Sequence, residues 1–199
     1  MIKKLFVGSN NQNKINEIKE IFKLNSFDIE IICPKNFNDN NEPIEDGLSF
    51  KENSYIKAKH YYDLYRMPCI GEDSGITIDY FNGFPGIHSK RFLGTLSDYE
   101  KNEYILKLMK DVKTRKASFH TCICYIDNDG NDYYFEGINN GEISLKQSGD
   151  EGFGYDPIFL IPEYNKTEAE LGLAYKNKNS HRSKALNKFI QFLNENEKE

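Results

Sequence analysis

Ile2-Lys3-Lys4-Leu5-Phe6-Val7-Gly8 runs directly into Ser9-Asn10-Asn11-Gln12-Asn13-Lys14, after which Ile15, Ile18, Ile21 and Phe22 recur at helical spacing through Leu24. A short apolar run, a polar loop and an amphipathic helix in that order spell a strand–loop–helix opening, the unit from which α/β folds are built. The loop falls where the first N–H groups of a helix lack intrahelical partners and the helix dipole favours negative charge, so a phosphate would fit there. Ser9 and Asn11 add side-chain donors and Lys14 adds a positive charge. The spacing matches neither a Walker A loop nor a dinucleotide fingerprint, and taken alone the plainer explanation is that Asn11 or Asn13 caps the helix.

Working outward, Phe27 to Cys33 reads as a second strand. The loop from Pro34 to Gly47 ends at Ser49, which with Glu52 three residues later predicts a capping box and a helix from Phe50 to about Tyr65. Met67-Pro68 stops that helix, and Cys69 to Asp73 and Gly75 to Asp79 read as strand segments. Asn82-Gly83-Phe84-Pro85-Gly86 is a loop, and Asp98 to Met109 carries Tyr104, Ile105 and Leu108 on one helical face. Ala117 to Ile126 and Tyr133 to Ile143 flank Asp127-Asn128-Asp129-Gly130, a hairpin signal. Pro157 to Ile161 reads as a strand, Thr167 to Leu171 as a short helical piece, and Ser180 opens a last helix carrying Ala185, Leu186, Phe189, Ile190 and Leu193. No repeat or flexible linker interrupts the 199 residues, a length that predicts one compact unit with a sizeable core.

The balance of 26 Lys and Arg against 31 Asp and Glu, net −5, argues against a chain that grips a phosphate backbone, so nucleic acid is not an expected partner. No apolar stretch suits a signal peptide or a bilayer span, which predicts no membrane partner and a soluble, cytoplasmic protein. Cys33, Cys69, Cys122 and Cys124 lie mostly in apolar runs and read as reduced core residues, and the four histidines have no metal-binding spacing.

Two segments suit a nucleotide base: Phe153-Gly154-Tyr155-Asp156-Pro157 and Ser180-His181-Arg182. An aromatic ring between Gly152 and Gly154 can lie against a purine face, Asp156 can accept from ring N–H groups, and His181 and Arg182 can donate to oxygens on the base edge. Glu72-Asp73-Ser74-Gly75 places adjacent carboxylates at the end of an apolar run, where alternation sends one of them toward a given cleft. Asp73 is the expected one, and Glu45 could join it around Mg²⁺, with Lys57 and Lys90 supplying charge to phosphates. Taken singly, each of these is more simply a turn acid or a solvated helix charge, and their weight comes from co-occurrence. Ser74 lacks the surroundings of a hydrolase nucleophile.

The ordered set Ser9-x-Asn11-x-x-Lys14, Glu45-Asp46-Gly47-Leu48-Ser49-Phe50-x-Glu52-Asn53, Lys57-Ala58, Glu72-Asp73-Ser74-Gly75, Gly83-x-Pro85-Gly86, Phe153-Gly154-Tyr155-Asp156-Pro157 and Ser180-His181-Arg182 resembles the inosine triphosphate pyrophosphatase family over nearly the whole chain. The resemblance implies an elongated mixed β-sheet flanked by helices, one domain over residues 1–199 with two lobes and a central cleft, and a homodimer. It implies hydrolysis of ITP, dITP and XTP to the monophosphate and pyrophosphate with Mg²⁺, which removes non-standard purines from the nucleotide pool. Ser9, Asn11 and Lys14 would hold the triphosphate, with Lys90 adding charge. Glu45 and Asp73 would hold the metal, and Asp73, with Lys14 and Lys57, would form the catalytic set. Ser74 would support the substrate. Phe153 would stack on the base within the Gly154-Tyr155 loop, Asp156 and Lys176 would fix it, and His181 and Arg182 would donate to the 6-oxo group, a position where adenine presents a donor instead.

Ser9 stands where the family commonly has Thr, Asn13 where Gly is common, Glu72 where Asp is frequent and His88 where Tyr is usual. None of these removes an essential chemical group. A Maf-type pyrophosphatase for another modified nucleotide is the enzymatic rival, which Ser180-His181-Arg182 opposes. A non-catalytic nucleotide sensor is the rival of another class, which the set Glu45, Asp73 and Lys14 opposes. A single-stranded nucleic-acid reader would need interleaved basic and aromatic residues that the chain lacks.

Overall fold

The computed structural model describes residues 2–196. Strand β1 (Lys4–Val7) buries Leu5, Phe6 and Val7 and leads through the polar loop into α1 (Gln12–Leu24), as the opening pattern requires. β2 (Glu30–Ile32) is shorter than the apolar run suggests. Helix α2 (Phe50–Tyr65) starts where Ser49 accepts a hydrogen bond from the Glu52 N–H. The Glu52 carboxylate, however, reaches Leu48 N at 2.7 Å and not the Ser49 N–H, so the predicted capping box is half formed. The two strand segments read around Ser74 are one strand, β3 (Cys69–Ile78). Helix α3 (Asp98–Leu108) follows, with Ser97 and Glu100 forming a full capping box.

Strands β4 (Lys116–Ile126) and β5 (Asp132–Ile143) flank the Asp127 turn, whose carboxylate accepts from the N–H groups of Asp129 and Asn131, each at 2.9 Å. Two later readings change. Asp156–Ile158 forms a 3-10 turn, because Pro157 supplies no N–H for a ladder, and strand β6 begins only at Phe159 (Phe159–Ile161). The short helical piece at Thr167 is preceded by β7 (Lys166–Thr167) and is the start of α4 (Glu168–Asn179), which bends where Gly172 leaves helical dihedrals. The last helix, α5, spans His181–Asn196.

The seven strands are hydrogen-bonded in the order β2-β1-β3-β4-β5-β6-β7. β1 runs parallel to β2 and β3, while β6 runs antiparallel to β5 and β7, so the sheet is mixed. Contacts divide the chain into two units, residues 1–73, 121–137 and 182–199 in one, and 74–120 and 138–181 in the other. The core of the first packs Ile15, Ile18 and Ile21 of α1 with Ile123, Leu186, Phe189 and Leu193. The core of the second packs Ile76, Ile78, Ile105, Phe119, Ile143, Ile158 and Phe159. The unit boundaries fall between Asp73 and Ser74 and between His181 and Arg182, within two of the motifs singled out above. Among the described residues, no helix is long and apolar enough to cross a membrane. Cys69, Cys122 and Cys124 are buried and unbridged, as read, while Cys33 is half-buried.

Candidate active site

In the first unit the loop after β1 is organised by its own side chains. Ser9 Oγ accepts from Asn11 N at 3.1 Å, and Asn11 Oδ1 caps α1 by accepting from Asn13 N at 3.0 Å and Lys14 N at 3.3 Å. The plain capping role of Asn11 is therefore present. Lys14 Nζ lies 3.7 Å from Glu72 Oε1. Burial lowers the pKa of the Lys14 ammonium, with Glu72 pulling the other way.

Glu72 and Asp73 are adjacent on β3 and both 5% exposed, and the pleat sends them to different partners. Asp73 Oδ2 accepts from Asn53 Nδ2 at 3.1 Å, and Asp73 Oδ1 lies 3.4 Å from Lys57 Nζ. Lys57 Nζ also donates to the Glu72 carbonyl at 2.8 Å and pairs with Glu45 Oε2 at 2.9 Å. Glu45, Asp73 and Lys57, far apart in sequence, thus meet at one ammonium. Desolvation raises the Asp73 carboxyl pKa above the ordinary aspartate value, although Lys57 and Lys14 oppose it.

Asn53 is fully buried, and its other amide end accepts from Gly47 N at 2.9 Å, which ties the Glu45 loop to Asp73. It stood in the quoted motif without a role. Its place in a helix directly after Lys51 and Glu52 concealed that it faces inward.

Glu72, set aside in favour of Asp73, is the hub of a second cluster. Arg182 is 1% exposed and donates from Nε and Nη2 to Glu72 Oε1 at 3.0 and 2.9 Å, and from Nη1 to Glu17 Oε2. Burial alone would lower the Arg182 pKa, but the two carboxylates outweigh it and hold the guanidinium charged. Arg182 is thus placed with carboxylates, and its neighbour His181 belongs to the other unit. Glu17 gave no signal in the sequence, because it looks like any solvated residue of an amphipathic helix.

The seven side chains Glu17, Glu45, Glu72, Asp73, Lys14, Lys57 and Arg182 carry four carboxylates against three cations. A net negative cluster disfavours a polyphosphate, and a divalent cation would reverse its sign. Among the described residues no group of three or more His, Cys, Asp or Glu forms a metal cage. Two carboxylates, Glu45 and Asp73, nonetheless suit Mg²⁺, which is usually held by one or two carboxylates, waters and substrate phosphates.

In the second unit the Phe153 loop is built around Asp156, which is 2% exposed. Asp156 Oδ2 accepts from Phe153 N at 2.7 Å and from Lys176 Nζ at 2.5 Å. A Cβ at Gly152 would lie 2.2 Å from that oxygen and the backbone there has φ +87°, so only glycine permits the approach. Lys176 Nζ sits 4.4 Å from the centre of the half-buried Phe153 ring. Tyr155 is buried and donates to the Ser89 carbonyl at 2.8 Å, a bracing role and not a ligand contact. The His181 ring stacks on Phe119, centroids 4.7 Å apart and planes 14° apart. Ser74 is half-buried on β3, and Lys90 has an exposed side chain, its carbonyl accepting from Lys101 Nζ at 3.3 Å.

The model of the Ham1 family matches residues 5–192 of this chain. A dITP/XTP pyrophosphatase of Borrelia garinii subsp. bavariensis is 45% identical over 96% of this chain and 96% of its own. One from Aquifex aeolicus is 38% identical over 98% of each. Among solved structures, a HAM1 protein from Coxiella burnetii superposes with a TM-score of 0.87 at 34% identity, covering 98% of this chain and 100% of the other.

Proposed function

Because the chain belongs to the Ham1 family, we propose that it is a nucleoside triphosphate pyrophosphohydrolase that converts ITP, dITP and XTP to the monophosphate plus pyrophosphate. The observation that carries this reading is the grip on Asp73: a buried carboxylate oriented by Asn53 and Lys57 beside Glu45. A carboxylate held in one orientation can position an attacking water and accept its proton.

Water attacks a phosphoryl centre, a new P–O bond forms, the bond to the bridging oxygen breaks and pyrophosphate leaves with the electron pair. Asp73 orients the water and takes its proton. Lys14 and Lys57 offset charge on the phosphate oxygens, and Ser9 and Asn11 shape the loop that receives them. When bound, Mg²⁺ at Glu45 and Asp73 would supply charge neutralisation for the leaving group. In the second unit Phe153 offers a face for the base, Asp156 and Lys176 hold that ring's loop in place, and His181 supplies a donor for a 6-oxo group. Arg182 serves chiefly by holding Glu72. Ser74 and Lys90 complete the substrate set as a hydroxyl and a cation, groups that suit phosphate oxygens. A second copy of the chain as partner and the cytoplasm as location belong to the same reading.

Pyrophosphate release from ITP, XTP, GTP, ATP and dTTP, with Mg²⁺ and with EDTA, tests it. Metal-dependent release favouring ITP and XTP is expected. Binding without release would point to a sensor, and preference for a pyrimidine nucleotide would point to the Maf-type alternative.

A further inference from the structure

The backbone N–H and carbonyl of Gly154 are both held by one helix. Gly154 N donates to Asp98 Oδ2 at 2.9 Å, and the Gly154 carbonyl accepts from Asn102 Nδ2 at 3.0 Å. Asp98 and Asn102 are four residues apart in α3 and so share a face. Asn102 Nδ2 also donates to Gln147 Oε1 at 3.2 Å, and Gln147 Nε2 returns to α3 at the Tyr99 carbonyl, 3.2 Å, and at Glu103 Oε1, 2.7 Å.

Asn102 is 1% exposed, and its Oδ1 is a buried acceptor without a hydrogen-bond partner. Such an atom destabilises a fold, and turning the amide over would set Oδ1 against the Gly154 carbonyl instead. An apolar residue would fill the same space beside Ile105 without that cost. The residue type is therefore accounted for by its grip on Gly154 and Gln147, not by packing.

That grip bears on Phe153. Its own N–H is fixed by Asp156, the next residue by α3, and the residue after that by the Tyr155 hydroxyl on Ser89. The backbone that carries the ring is thus held at three successive residues, and the ring lies against the Lys176 ammonium.

We propose that Asp98 and Asn102 are positioning residues that hold the backbone carrying the Phe153 ring and thereby set the affinity for the base. The proposal rests on the reading of Phe153 as the platform for the base. An aromatic platform gains from stacking only when its plane is fixed before the base arrives, since tilting freedom must otherwise be lost on binding.

The test compares Asn102→Leu and Asp98→Ala with the unaltered protein, using kcat and KM for ITP and ATP together with hydrogen exchange at the Gly154 amide. For Asn102→Leu the KM for ITP should rise about tenfold, the size of one lost buried hydrogen bond, with kcat nearly unchanged. ATP should lose by a similar factor, since both purines present a face to the ring. The Gly154 amide should exchange faster. Asp98 is exposed, so its alanine variant keeps the fold and should show the same signature at smaller size. A loss confined to kcat, or unchanged kinetics with unchanged exchange in both variants, would overturn the proposal. If the unaltered protein released no pyrophosphate, the proposed activity would fall, and exchange at Gly154 would still decide whether α3 holds the loop.

Discussion

The two units meet the same problem, buried charge, in opposite ways. In the first, Lys57 faces Glu45 and Asp73, Arg182 faces Glu72 and Glu17, and Lys14 faces Glu72, so four carboxylates share three cations. In the second, the buried Lys176 ammonium is matched with the buried Asp156 carboxylate, one cation to one anion. A surplus of negative charge is unstable by itself and becomes useful when a cation and a polyphosphate complete it. A neutral pair under an aromatic ring asks for no counterion and suits a flat, uncharged base. The difference teaches that substitutions in the first unit should change turnover and stability, whereas those in the second should change affinity and base choice.

Asp73→Asn should separate the two most sharply. It keeps the shape and the Asn53 contact but removes the charge, and turnover should fall by roughly 10²–10⁴-fold with nucleotide binding retained. Its stability should move the other way. The Asp73 pKa is raised in the folded protein, so the folded state binds that proton more tightly, and ionised Asp73 costs stability once the pH exceeds the unfolded value. The variant should therefore gain on the unaltered protein as pH rises from about 3 toward 7, the ordinary carboxyl value lying near 3.9. Thermal unfolding across that range measures this, and a gap that widened against the variant would contradict it.

Arg182→Ala comes next. It leaves Glu17 and Glu72 facing each other in the interior and should cost about 3–5 kcal/mol in denaturant unfolding. A loss below about 1 kcal/mol, as for an exposed pair, would show that Arg182 is not the clamp of Glu72. The smallest effect is expected in the second unit, where Lys176→Met should raise the KM for ITP about tenfold by loosening Asp156 and Phe153 while kcat holds. A collapse of kcat instead would erase the distinction between the units.

How much of this could be read beforehand differs by element. Helix α2 runs from Phe50 to Tyr65 as read, because its signals, Ser49 at one end and Met67-Pro68 beyond the other, act within a few residues. The region after Tyr155 was misread because a single proline delayed a strand and a bend at Gly172 disguised a longer helix. Asp73, Glu45 and Lys57 were legible as chemistry. That Glu72 would leave them for Arg182, 110 residues away, was not. Nor was Glu17, whose partner lies 165 residues further along the chain.

The sequence alone determined the strand–loop–helix opening, the ends of the capped helices and the glycine-flanked Phe153 loop, since each depends on dihedral preferences and hydrogen bonds between near neighbours. Only the tertiary structure decided which carboxylate meets which cation. That choice depends on how adjacent residues of β3 point to opposite faces and on which buried charges can be neutralised at about 3 Å, and distance through space has no counterpart in spacing along a chain.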